Sequence, residues 1–78
     1  MAFVYGNDYT VHDQDGNPLG SIDGDEFIRV QGKPVSRIDD EEIYSLDIPC
    51  KLLGYMEGLK GVNLDGSIRF TLKSDQAS

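Results

Sequence analysis

Laid against itself, the middle of the chain repeats. GNPLGSIDGDEFIRV (residues 16–30) and GKPVSRIDDEEIYSL (residues 32–46) share one order at a shift of 16 residues. That order is Gly-x-Pro, an aliphatic, a small residue, any residue, Ile-Asp, an acidic stretch, then an aromatic or aliphatic run. A repeat of this kind builds one small unit several times, and each unit buries its apolar face against its neighbours. A third copy follows the irregular DIPCK (47–51) and reads LLGYMEGLKGVNL (52–64). There Leu53, Gly54, Met56 and Glu57 take the places of Leu19, Gly20, Ile22 and Asp23. The shift is now 18, so this connection is two residues longer.

FVYGNDYTV (3–11) reads as a worn fourth copy, an apolar triplet and a Tyr-Thr-Val run around a Gly-Asn-Asp turn. SIRFTL (67–72) alternates Ile68, Phe70 and Leu72 with polar partners, as a half-exposed strand does. Each unit therefore reads as two strands around a tight acidic turn, and Gly or Pro turns join the units. No window carries helical periodicity of useful length. The expected fold is all-β: four repeated β-hairpins about a pseudo-fourfold axis, closed by pairing of the first and last strands, here 3–5 with 68–72. Closure removes the edge strands that invite aggregation. Residues 1–72 form a single β-repeat domain on this reading, and the polar residues 73–78 form a flexible C-terminal tail.

One spacing breaks the alternation. Leu19 and Ile22, Val35 and Ile38, Leu53 and Met56 each stand three apart, which puts the two members on opposite faces of a regular strand. Gly20, Ser36 and Gly54 recur between them. A β-bulge at that place returns both side chains to one face and adds the bend that curls hairpins around an axis. The other solution is a sheet covered on both faces.

In DGNPLGSIDGDEFIRV, GKPVSRIDDEEIYSL and LLGYMEG the chain resembles the bacterial four-fold β-flower domain, over roughly residues 9–66. The resemblance implies repeated hairpins about a pseudo-fourfold axis. It implies no catalytic residue, because the family has no established biochemical role.

At 78 residues the chain is near the size at which one core carries its own folding free energy, so ring closure or a partner subunit would help. Fourteen acids against seven bases give a formal charge of −7, which repels phosphate backbones and anionic membranes. Direct nucleic-acid binding and membrane binding are thus not expected. One cysteine, Cys50, has no second cysteine to pair with and reads as a structural thiol. The N-terminal segment has neither a basic start nor a long apolar run, and the expected location is cytoplasmic.

The repeat sends the acids of the within-unit turns to one rim: Asp23, Asp25 and Glu26, then Asp39, Asp40, Glu41 and Glu42, then Glu57. The other rim takes Asp13, Asp15, Asp47 and Asp65, but also Lys33 and Lys51. Acids in hairpin turns accept local backbone hydrogen bonds and guard strand ends, which is the plain reading. A second reading docks the rim on a basic partner. A third gathers carboxylates around Ca²⁺, although neither DQDGN nor DGDEF places a ligand residue at the first position of an EF-hand loop.

Catalytic readings are poorer. His12 stands alone with no triad spacing, exposed turn acids offer no apolar pocket, and no glycine-rich phosphate loop is present. Tyr9, Phe27 and Tyr44 fall near the start of successive returning strands and read as a core ring. Tyr55 replaces Ser21 and Arg37 in the pattern and should face outward as a contact residue. The sequence thus points to a small acidic, non-enzymatic protein-interaction module without cofactor or metal. Its partner is expected to be a protein with a basic surface, and it can also form a homo-oligomer. The alternative is a phage or mobile-element inhibitor, a nucleic-acid mimic whose acidic face occupies the nucleic-acid-binding surface of a host defence protein.

Overall fold

A computed structural model describes residues 2–74. Eight strands run in chain order: β1 (Asp8–His12), β2 (Pro18–Asp23), β3 (Phe27–Val30), β4 (Lys33–Asp39), β5 (Glu42–Ser45), β6 (Leu52–Glu57), β7 (Lys60–Asn63) and β8 (Ile68–Ser74). Each pairs antiparallel with the next, β8 pairs with β1, and the sheet is a closed barrel. The described residues contain no helix, so the all-β expectation holds.

The closing strands differ from the expected ones. Residues 3–5 are not a strand; β8 pairs instead with β1, through Tyr9↔Ser74, Thr10↔Lys73, Val11↔Leu72 and His12↔Thr71. The fourth hairpin is therefore β8 with β1, split between the two ends of the chain. Residues 2–7 lie where its turn would be. Gly6 takes φ +100° and Asn7 N–H donates to the Val4 carbonyl at 3.2 Å, which folds the segment back on the barrel end. Phe3 then packs on the core, its ring 5.5 Å from that of Tyr9, and Val4 N–H donates to the Tyr9 hydroxyl at 3.0 Å. Packing Phe3 against the core removes part of an aromatic side chain from water. Lys73 and Ser74, assigned above to the tail, belong to β8, and residues 75–78 lie outside the described residues.

The bulge occurs in every unit. Across β1–β2, β3–β4, β5–β6 and β7–β8 the register slips by one at the same height. The extra residues are Leu19, Val35, Leu53 and Arg69, each one position before the small residue or its equivalent, Phe70. Beyond the bulge, Ile38 N–H donates to Glu26 O, Met56 N–H to Glu41 O and Leu72 N–H to Leu59 O, at 2.9, 2.8 and 2.7 Å. Three equivalent bonds in successive units are the mark of the fourfold repeat. Leu53 packs against the core, while Leu19 and Val35 remain 39% and 48% exposed at the barrel mouth. The bulge brings them to the inner side only where the barrel is open.

One ring of inward positions holds Val11, Ile22, Ile28, Ile38, Ile43, Met56 and Leu72, all buried, together with Gly61. Gly61 is the exception because Phe70 fills its place: a Cβ there would lie 2.5 Å from the Phe70 ring. At Gly20 and Gly54 a Cβ would collide with the carbonyl oxygens of Arg29 and Val62. The expected aromatic ring is not found in the core. Tyr9 is buried, but Phe27 and Tyr44 alternate outward while their neighbours Ile28 and Ile43 point in. By bulge register Tyr9 is equivalent to Glu26, Glu41 and Leu59, one place from Phe27 and three from Tyr44, with which the sequence had grouped it.

Gly61→Ala should cost roughly 1 to 3 kcal/mol through overpacking on Phe70, read by urea unfolding. Adding Phe70→Leu should recover part of that loss, because the obstacle is a side chain. No second-site change at a side chain should rescue Gly20→Ala, where the obstacle is backbone.

Candidate functional site

Because consecutive strands alternate in direction, the turns at 24–26, 40–41 and 58–59 share one end of the barrel with residues 2–7. The turns at 13–17, 31–32, 46–51 and 64–67 share the other. Asp23, Asp25, Glu26, Asp39, Asp40, Glu41, Glu42 and Glu57 therefore gather at one end, and Asp8 joins them opposite Asp23. Tyr55 does not. It stands on the outer wall, 47% exposed, opposite Glu42 on β5 and Val62 on β7.

The acidic end is partly compensated. Arg29 holds Asp25 with two parallel bonds, 3.0 and 2.7 Å, and lies 3.8 Å from Asp23. Arg37 bonds Glu26 at 3.0 Å and Asp39 at 3.5 Å, with its guanidinium 5.3 Å from the Tyr44 ring centre. Tyr44 Oη donates to Glu42 at 3.0 Å. The Arg29 hydrogen bonds hold the Asp25 carboxyl below the usual carboxylate range. The bond to Glu42 raises the Tyr44 phenol. Among the described residues, Asp40, Glu41 and Glu57 enter no ion pair. Asp8 and Glu42 likewise meet no cation among the described residues, so these five carry the uncompensated charge of this end.

The end is also hollow beside two of its units. At the inward position before the strand, two units carry the apolar Tyr9 and Leu59, and the other two carry Glu26 and Glu41. A depression of about 300 Å³ lies on the glutamate side, lined by Glu26, Asp39 and Asp40 opposite Phe3 and Tyr5, with Ile38 at its floor. A smaller one, about 130 Å³, lies between Phe3 and Asp40, Glu41, Met56 and Gly58. Three carboxylates and a 68% exposed tyrosine thus face one hollow that can receive a cationic side chain. Among the described residues, no three His, Cys, Asp or Glu side chains are grouped to hold a metal ion.

The opposite end is built differently. Its turns DQDGN (13–17) and NLDGS (63–67) match at a shift of 50, and in each an N–H to C=O bond of 2.8 Å closes the loop, Asp13 to Asn17 and Asn63 to Ser67. Asp13 Oδ1 accepts from the N–H groups of Asp15 and Asn17 at 2.9 Å, and Asp65 Oδ1 accepts from Ser67 N–H and Oγ–H at 2.9 and 2.6 Å. Both carboxyls are thereby held below their ordinary range, Asp13 chiefly by Asn17 and Asp65 by the Ser67 hydroxyl. Around them Leu46, Leu64 and Ile48 are exposed, Ile48 completely. Cys50, read above as structural, is exposed in the same loop. His12 ends β1 with its Nδ1 buried and unpartnered.

The sequence reading missed this end. Leu19, Val35 and Arg69, the three bulge residues left at the mouth, line a concavity there with Val11, Ile28 and Phe70. The odd three-residue spacing was the signal for the first two. Arg69 gave none, because its unit is assembled from the two chain ends. Comparison of the chain with family models, curated proteins and solved structures returns no match.

Asp40 takes φ +59° at the first turn position between paired Asp39 and Glu42, where the equivalent turn has Gly58. Asp40→Gly should therefore raise stability by about 1 kcal/mol in urea unfolding. A carboxyl whose folded pKa is depressed stabilises the fold above its unfolded pKa, and that contribution is lost as pH falls through the folded value. Stability should thus decline as the pH drops below 3.8, the unperturbed value for Asp13, Asp25 and Asp65. Asp25→Asn should then lose more stability at about pH 6 than at a pH below the depressed folded value, where the carboxyl is protonated in both states.

Proposed function

We propose that this chain is a small non-enzymatic protein-interaction module whose acidic end docks on a basic protein surface. The observation that carries the reading is the hollow where Glu26, Asp39 and Asp40 face Phe3 and Tyr5. A lysine or arginine placed there meets carboxylates on one side and an aromatic face on the other, the usual surroundings of a buried cationic anchor. Asp40 in this hollow and Glu41 in the smaller one beside it pair with no cation among the described residues, which leaves charge for a partner to complement. Backbone strain at Asp40 is consistent with a residue kept for contact rather than for the turn.

The narrower reading, imitation of a nucleic-acid backbone, asks for carboxylates in a continuous row like phosphates. Arg29 and Arg37 interrupt the row, so the broader reading is preferred. A cytoplasmic location belongs to the same proposal. An exposed Cys50 with no second cysteine suits a reducing compartment. No helix among the described residues is long and apolar enough to cross a membrane.

The test is an amide chemical-shift titration of the full chain with a hexa-arginine peptide, with hexa-glutamate as control. Hexa-arginine should shift Tyr5, Asp39 and Asp40 saturably, and affinity should fall at least about tenfold in 1 M salt. Replacing Asp39 and Asp40 by Asn and Glu41 and Glu42 by Gln together should abolish the effect. Binding that survives both treatments, or shifts spread evenly over the surface, would remove the reading.

A further inference from the structure

The mouth opposite the acidic end holds a second hollow of about 300 Å³, and its wall is mostly apolar: Val11, Leu19, Ile28, Val35 and Phe70. Barrel mouths of this size and lining are where small ligands enter eight-stranded sheets. Two polar side chains in the wall set it apart from a simple apolar patch.

Ser36 is the first. It is 2% exposed and borders the hollow, and its hydroxyl has no hydrogen-bond partner among the described residues. The hydroxyl is thus open to the hollow rather than sealed in the interior, where among the described residues only His12 Nδ1 is buried without a partner. The repeat has glycine at the same place in two other units, Gly20 and Gly54, where backbone excludes a side chain, and Phe70 in the last. Only the second unit brings a hydroxyl to this position. Arg69 is the second. The chain has three arginines and twice as many acids as bases, and Arg29 and Arg37 each hold carboxylates. Arg69 donates to Asn63 Oδ1 at 3.1 Å and meets no carboxylate among the described residues. Its charge is left at the lip of an apolar bowl. The nearby acids Asp13 and Asp65 are already engaged by their own turns.

We infer that this mouth binds a small aliphatic carboxylate carrying a second oxygen on its chain, as a hydroxy acid does. The carboxylate pairs with the Arg69 guanidinium, the aliphatic body lies against Val11, Leu19, Ile28, Val35 and Phe70, and the chain oxygen meets the Ser36 hydroxyl. The site lies at the other end from the acidic hollow, so its failure and the failure of the protein-docking reading are separate results.

The probes are 3-hydroxyoctanoate, octanoate and 1-octanol, titrated into the full chain at physiological salt and followed by amide shifts. Physiological salt screens the net charge of −7 beyond about 8 Å while leaving close contacts. 3-Hydroxyoctanoate should shift Val11, Leu19, Val35 and Ser36 saturably, and should bind more tightly than octanoate. Arg69→Gln should weaken both acids about tenfold and leave 1-octanol unchanged. Ser36→Ala should erase the preference for the hydroxy acid, with an otherwise unchanged spectrum showing that the barrel is intact. Shifts confined to the acidic end, or equal affinity of Arg69→Gln and the parent for the acids, overturn the proposal. So does a preference that persists in Ser36→Ala. A mass that grows with concentration in sedimentation and falls when Val35→Glu is introduced would show instead that a second copy covers the mouth.

Discussion

Each of the four ladders that join one unit to the next carries one residue more on the second strand than on the first, and the barrel depends on that surplus. Strands of four to seven residues are too short to wrap a core if they run flat. A bulge at one height in every unit bends and twists the sheet by the same increment each time. After eight strands the last ladder meets the first, and no backbone edge is left open. For a chain of 78 residues this matters more than any single contact, since its core alone is small.

The tight closure then dictates the interior. A ring of one side chain per strand fills the axis with Val, Ile, Met and Leu, and on the side of the open mouth one aromatic packs against it. That aromatic is Phe70, and it is admitted because Gly61 yields its own place. The two ends close by different means. Phe3, Tyr9 and Leu59 cover part of the acidic end from inside, whereas the other end keeps its bulge residues around an open bowl.

Alternation of strand direction is also what separates the chemistry of the two ends. The within-unit end carries most of the acids, the between-unit end carries Asp13, Asp15, Asp47 and Asp65 together with the exposed Leu46, Ile48 and Leu64, and strand alternation keeps the two sets apart. Arg29 and Arg37, from the outer wall, take up some of the negative charge and leave the remainder at Asp8, Asp40, Glu41, Glu42 and Glu57. Charge is thus concentrated beside one hollow and thinned beside the other, a division that suits a cationic contact at the first and an apolar one at the second.

Residues near in sequence and recurring in register were legible without coordinates: the strand class, the bulge, the ring closure, the pole at which eight carboxylates meet, and the outward face of Tyr55. Those properties depend on local backbone preference and on a period that the recurring copies reveal. Which residues meet when the two ends of the chain close was not legible. β1 and β8 form one hairpin with no turn between them, so no local pattern announced that Lys73 and Ser74 continue a strand, that Phe3 is a plug, or that Arg69 is a bulge residue. Pairings of Arg29 with Asp25 and Arg37 with Glu26, and the hollows beside them, likewise arose only when bent strands set side chains from different units face to face, because charge at a position says nothing of what stands across the ladder.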